Sequence, residues 1–240
     1  MYRPDFLTAA TGDRLLERLA EALAPGHRIE TGHGQPAIDG DQALIRRAAT
    51  SDAATPSIRL WTNRRCLVTV RAMARLPGFD EAQRASAAHG WPVYVRQTGG
   101  TTVAHRPGIL NLSWARRAGA GPARIEHCFE EPMRWIVHAA GRLGYELDVG
   151  AAPGSYCDGR HNLCHHGRKL AGTAAAIRLI HGQRVLFFHA SITITGDPAQ
   201  DVAAIARFER SLGLPGDYRP EQHVALADIQ PGHDHAVMSR

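Results

Sequence analysis

The sequence has no apolar run that approaches the roughly 20 residues a membrane-spanning helix needs, which predicts a soluble chain with no membrane partner. The start through Gly26 is interrupted by Asp5, Asp13 and Arg14, so it does not read as a secretory signal. That predicts a cytoplasmic location, where the four cysteines, Cys66, Cys128, Cys157 and Cys164, would be kept as free thiols. No Gly-x-Gly-x-x-Gly lies between a strand and a helix, which argues against a dinucleotide fold. No repeat, low-complexity tract or linker divides the chain, so residues 1–240 are expected to form a single domain.

The net charge is +5 with a pI near 9.4, but the basic residues are scattered rather than gathered in a block. That pattern does not predict nucleic-acid binding. An acidic carrier protein is an equally good match for the charge.

Hydrophobic periodicity supplies the elements. Residues 13–24 place Leu15, Leu16, Leu19 and Leu23 on one helical stripe that Pro25-Gly26 stops. The stretch from Ile29 to Gly40, rich in glycine and polar residues, reads as loop, and Asp41 reads as the opening of a second short helix. SIRLWT, RCLVTVRAM, WPVYVRQ and ILNLSWA alternate as strands, with a helix around 79–89 between the second and third. The longest helical pattern, 121–143, carries Ile125, Phe129, Trp135, Ile136 and Leu143 as its expected core stripe, and Pro132 is expected to kink or restart it. From Tyr145 the texture turns to strands with turn signals at His166-Gly167 and His181-Gly182, an expected antiparallel meander. A helix from about Pro198 to Leu212 follows, and the end of the chain is irregular, with His233 and His235. The order predicts an α+β fold, a mainly antiparallel sheet packed with helices.

Two stretches carry candidate chemistry. In Arg96–Ser113, RQTGGTTVAHRPGILNLS, the Gly99-Gly100 pair leaves a strand; it serves either as a tight connection or as a place where backbone N–H groups approach a ligand. In 154–172, GSYCDGRHNLCHHGRKLAG, three readings compete. A zinc site would need Cys157, Cys164, His165 and His166 to converge, but strand alternation sends His165 to the face opposite Cys164 and His166. Cys164 fits a small core residue. Cys157, flanked by Gly154, Ser155, Asp158 and Gly159, reads as a thiol in an exposed turn. A thiol attacks as thiolate and needs a positive charge close by, and Lys169, at the start of the next hairpin strand, would supply it.

The motif R-x-x-G-G-x4-H-x-P-G-x-L, here Arg96, Gly99, Gly100, His105, Pro107, Gly108 and Leu110, resembles the substrate-binding signature of the biotin/lipoyl protein ligase superfamily. GSYC-x-G followed by G-R-K-L-A-G resembles the corresponding segment of the cysteine-dependent octanoyl amidotransferases of lipoate assembly. The resemblance spans about residues 57–195. It implies the class II synthetase-like catalytic domain, with Cys157 carrying the acyl group and Lys169 contacting its carbonyl. It further implies acyl-substrate contacts from Arg96, Gly99, Gly100, Thr101, Val103, His105 and Gly172, with His105 as either a proton shuttle or a structural residue.

The implied activity is transfer of an octanoyl or lipoyl group to a lipoyl-domain lysine, with no metal and no cofactor. The implied donors and acceptors are an acyl carrier protein or lipoyl-domain proteins such as H protein and E2 subunits. The alternative is an ATP- and Mg²⁺-dependent lipoate-protein ligase acting through a lipoyl-adenylate with Lys169. Two departures from the ligases favour transfer: His161-Asn162 stands where they commonly show Asn-Asp, and the stretch after Gly196 is too short for an accessory domain of ordinary size.

Overall fold

The computed structural model describes residues 5–52, 55–119 and 121–232, with side chains from residue 11 onward; His233 and His235 lie outside the described residues. Helix α1 (Asp5–Leu23) buries Leu15, Leu16, Leu19 and Leu23, the stripe its periodicity predicts, and stops before Gly26 at φ 74°.

The stretch expected to be loop is instead strand β1 (Ile29–Gly32) and helix α2 (Gly34–Thr50). The glycines that suggested a loop are close-approach residues. A Cβ on Gly32 would sit 2.4 Å from the Ala37 side chain, and the Gly34 N–H donates to Asn63 Oδ1 at 2.9 Å. Asp41 consequently lies inside α2, buried, rather than at its start.

β1 runs parallel to β2 (Ser57–Asn63), and β2 is antiparallel to β6 (Ile109–Arg117). With β7 (Asp148–Gly150), β8 (Asn162–His165), β9 (Arg168–Ile180) and β10 (Gln183–Thr193), they form a seven-stranded sheet in the order β1-β2-β6-β10-β9-β8-β7. The last four strands are the predicted antiparallel meander. At both predicted turns, His166-Gly167 and His181-Gly182, the two residues take positive φ, 48° and 74°, then 46° and 76°, the geometry of a two-residue hairpin. A three-stranded sheet, β4-β3-β5, is built from β3 (Cys66–Val70), β4 (Val93–Arg96) and β5 (Val103–His105).

Strand alternation divides the large sheet into two faces. Leu110, Leu112 and Trp114 of β6 and Leu186, Phe188, Ala190 and Ile192 of β10 enter the core formed with α1 and α4 (His127–Gly141). On the other face, Ala115 and Phe187 meet Leu44, Ile45 and Ala48 of α2. Farther along that face apolar residues give way to Asn111, Ser113, His189 and Ser191, polar side chains that line or support the site.

A third cluster joins the small sheet to α3 (Phe79–Ala88) and α5 (Pro198–Ser211) through Leu67, Val68, Phe79, Ile205 and Phe208. Helix α4 runs through Pro132 as one element. Of its expected stripe, Ile136 is buried, but Ile125 precedes the helix and is 43% exposed, because the helical register begins only at His127.

Candidate active site

The candidate nucleophile stands on the turn between β7 and β8. Cys157 has φ 47°, a left-handed conformation uncommon for a residue with a side chain, which persists where surrounding contacts impose it. Those contacts are visible: the Asp158 carboxylate accepts the Ala152 N–H at 2.8 Å and Asn162 Nδ2 at 3.0 Å, and Arg219 Nη2 donates to the Pro153 carbonyl at 2.8 Å. The turn is not the exposed one its flanking residues suggest. Cys157 is half-buried, packed at the edge of the cluster containing Val68, Val103 and Tyr156, because the Gly99–Thr102 loop covers it.

That loop brings main chain to the sulfur. The Thr101 N–H donates to Cys157 Sγ at 3.2 Å. Gly100 has φ 98°, and a Cβ there would lie 2.8 Å from the sulfur and 2.9 Å from Arg96 Nη2, so only glycine allows this approach. Gly99 has no such constraint; it contributes its carbonyl. Arg96, 5% exposed, donates through Nη2 to the carbonyls of Gly99 (3.0 Å) and Thr101 (2.8 Å) and through Nη1 to that of Val68 (2.9 Å).

Lys169 enters from β9. The β8–β9 pairing slips by one residue: Cys164 faces Lys169 while Leu163 faces Ala171. Such a bulge re-aims side chains, and Leu170 and Lys169 are both buried, Leu170 in the α1/α4 core and Lys169 at the site. Lys169, 3% exposed, donates from Nζ to the carbonyls of Tyr156 (2.6 Å) and Cys157 (3.0 Å) and lies 4.9 Å from the centre of the Tyr156 ring. An ammonium has three donors, so one remains. Gly172 makes room for it: a Cβ there would be 3.4 Å from Nζ. Among the 28 lysine and arginine residues of the sequence, Lys169 is the only lysine. A chain that uses arginine everywhere else keeps lysine where a compact head with an adjustable pKa is required.

Electrostatics fit a thiolate. Burial alone pushes the Cys157 thiol up, but the Arg96 guanidinium, the Lys169 ammonium and the Thr101 N–H outweigh it and hold the group below its ordinary value. Burial lowers Lys169 to about 8, against an opposing pull from Cys157. Arg96, expected as an acyl-binding residue, is thus the larger of the two cationic influences on the sulfur. By contrast, burial pushes Cys66 up to about 12 and Cys128 up to about 11, and neither has a cation that offsets it.

A cleft of about 430 Å³ including its open mouth leads from Cys157 along β9 and β10. Gly172 and Ala174 leave its floor low, Val68, Val103 and Trp61 give it apolar walls, and Ile38 closes it from α2. His105 is part of the wall, with its ring edge-on to Trp61 at 5.3 Å and Nε2 3.3 Å from Ser191 Oγ. Burial and the charge of Arg96 lower it to about 3, which favours the neutral ring.

Tyr156 carries no signal as a site residue in the sequence, Asp41 reads there only as a helix start, and whether His189 turns inward is left open. Asp41 accepts from Ser113 Oγ (2.7 Å) and Arg59 Nη1 (3.2 Å) and lies 3.6 Å from His189 Nδ1 at the α2 end of the cleft. The alternation of His189 with Phe188 on β10 was the one signal available for it. The histidines of the β8–β9 hairpin are engaged elsewhere: His165 Nδ1 is 2.8 Å from the Glu146 carbonyl, and its ring lies 4.1 Å from that of His166. Among the described residues no group of His, Cys, Asp or Glu is arranged to hold a metal ion, and no helix is long and apolar enough to cross a membrane.

The family model for the lipoyl protein ligase A/B catalytic domain matches residues 36–213. The chain is 33% identical over 174 residues to an octanoyl-[GcvH]:protein N-octanoyltransferase of Kyrpidia tusciae, covering 68% of this chain and 58% of that protein's length. It is 29% identical over 208 residues to the protein of the same name from Geobacillus kaustophilus, covering 85% and 71%. An uncharacterized protein of Cupriavidus necator is 33% identical over 230 residues, covering 89% and 90%. Among solved structures, lipoate-protein ligase A bound with ATP superposes with a TM-score of 0.65 at 18% identity, covering 84% of this chain and 76% of that one. A putative lipoate protein ligase from T. acidophilum with bound lipoic acid gives 0.58 at 17%, covering 84% and 76%. At these identities the structural likenesses establish the shared fold.

Proposed function

Because the chain belongs to the lipoyl protein ligase A/B catalytic-domain family, we propose that it moves an octanoyl or lipoyl group from a donor to a lipoyl-domain lysine through an acyl-enzyme on Cys157. The observation that carries this reading is a half-buried thiol, held below its ordinary pKa by Arg96, Lys169 and the Thr101 N–H, at the mouth of an apolar cleft.

In the first step the Cys157 thiolate attacks the acyl carbonyl of an octanoyl amide or thioester. A C–S bond to the enzyme forms, the bond from the carbonyl carbon to the donor's nitrogen or sulfur breaks, and the departing group leaves as the amine or thiol after taking a proton. In the second step an acceptor lysine amine attacks the enzyme thioester; its C–N bond forms, the C–S bond breaks, the thiolate returns and the amine's proton is released. In this reading the Thr101 N–H and the remaining Lys169 donor steady the oxyanion in each step. The low floor at Gly172 and Ala174 takes the chain, and Val103 and His105 wall it. No metal or cofactor enters these steps.

The curated relatives are named for an octanoyl group on GcvH, and the proposed donor is accordingly an octanoylated H protein, with an E2 lipoyl domain as acceptor; an acylated carrier protein is the alternative donor. Sequence relatives with this name support transfer over ATP-dependent ligation. Intact-mass analysis after incubation with octanoylated H protein tests it: one octanoyl mass is expected on Cys157 without ATP, and none on Cys157→Ala. Turnover that requires ATP and survives Cys157→Ala would overturn the proposal.

A further inference from the structure

Glu209 is placed where a carboxylate is costly. It lies in the last turn of α5, where the helix carbonyls disfavour negative charge, and it is 1% exposed, which disfavours it again. Two donors offset that cost. Its Oε1 accepts the Thr102 N–H at 3.3 Å, and its Oε2 accepts the Tyr218 hydroxyl. Thr102 directly follows the residue whose N–H holds the Cys157 sulfur.

The loop is therefore gripped from two sides. Arg96 takes the carbonyls of Gly99 and Thr101, Glu209 takes the N–H of Thr102, and the Thr102 hydroxyl is tied to Thr69 Oγ1 at 3.1 Å and Met73 Sδ at 3.2 Å. With those groups engaged elsewhere, the Thr101 N–H is the one left facing sulfur. Neither Glu209 nor Tyr218 lines the cleft, and Tyr218 lies beyond the residues matched by the family model.

We infer that Glu209, oriented by Tyr218, is a positioning residue that fixes the Gly99–Thr102 backbone and thereby keeps the Thr101 N–H on the Cys157 sulfur. The inference rests on the proposed thiolate site and adds to it a support 107 residues away from the loop it holds. The other groups that act on Cys157 are the cations Arg96 of β4 and Lys169 of β9, with the phenols Tyr156 and Tyr218 beside it. None of them is altered by a change at Glu209 except through the loop and the Tyr218 hydroxyl.

The test is the pH profile of Cys157 alkylation by iodoacetamide in the full chain, read at the Cys157 peptide by mass spectrometry. Glu209→Ala is expected to raise the midpoint by about one pH unit, making alkylation about tenfold slower at pH values below the parent midpoint. Glu209→Gln, which keeps an acceptor toward Thr102, retains the original midpoint. Tyr218→Phe, which removes one hydroxyl and keeps the ring, shifts the midpoint in the same direction as Glu209→Ala but by less.

A Glu209→Ala profile that superposes on the parent overturns the inference, as does a Glu209→Gln profile displaced as far as that of Glu209→Ala. Should Glu209→Ala fail to fold, Tyr218→Phe decides, and an undisplaced profile there overturns it. Alkylation needs no acyl donor. A displaced profile in a chain that transfers no octanoyl group would leave the positioning role standing and remove only the proposed function.

Discussion

The backbone N–H of Thr101 donates to the Cys157 sulfur across 3.2 Å, joining two segments 56 residues apart without the use of a side chain on the donor side. Only proline would remove this main-chain donor, and it would recast the loop as well, but the approach that permits the contact can be blocked from the neighbouring residue. Gly100, at φ 98°, has the sulfur where its Cβ would be. Gly100→Ala is expected to lower transfer about 10²-fold, the usual effect of losing one preorganised donor, and to slow alkylation of Cys157. The backbone strain of about 1–2 kcal/mol lowers the melting temperature by only a few degrees. Parallel kinetics and thermal melts separate the two effects.

Because Lys169 is the only lysine, its titration is directly observable. Protein labelled with lysine carrying ¹³C at Cε should give a single resonance with a midpoint near 8, against the ordinary 10.5. Burial lowers it and the Cys157 thiolate partly restores it, so Cys157→Ala should lower the midpoint further. If the protonated amine is the acting form, transfer falls as pH rises through 8. A midpoint above 10 would place the ammonium in water and contradict its two carbonyl contacts.

Much of this was legible in the sequence, and the failures have physical causes. The hairpins could be read because His166-Gly167 and His181-Gly182 admit positive φ and lie between alternating strands. Cys157 and Lys169 could be paired because a hairpin brings neighbours of its turns together. Asp41 was misread as a cap since local propensity does not reveal that Gly32 and Gly34 let α2 begin seven residues earlier. The environment of Cys157 was misread because an exposed-looking turn is buried by a loop from elsewhere in the chain, and no local pattern encodes that contact. The scarcity of lysine was a compositional signal for Lys169 that periodicity analysis does not use.

Acid should weaken the fold through two histidines. Burial and nearby cations lower His105 to about 3 and His223 to about 4, from 6.5 in each case. The unfolded chain therefore binds more protons than the folded one as pH falls below 6.5. The stability present above 6.5 is lost progressively toward the folded values, at up to about 1.4 kcal/mol per pH unit for each histidine. Urea unfolding between pH 6.5 and 4.5 measures this. His223→Asn, which removes one titrating ring, should reduce the slope; an unchanged slope would assign the acid sensitivity to other groups.

The cleft's chain-length limit should reside on β9 rather than at the nucleophile. Ala174 lies two residues beyond Gly172 on the floor, facing His189 across the strand pair, so a larger side chain there fills the path of the acyl tail without touching Cys157, Arg96 or Lys169. Ala174→Leu adds three carbons to a packed wall, where overpacking costs about 1–3 kcal/mol, equivalent to roughly a 5- to 150-fold rise in KM for an octanoyl donor. Butyryl donors, which end before that point, should be unaffected, and the alkylation profile of Cys157 should match the parent. If octanoyl and butyryl donors lose activity equally, the tail does not run along β9, and the cleft between α2 and the sheet is not the acyl channel.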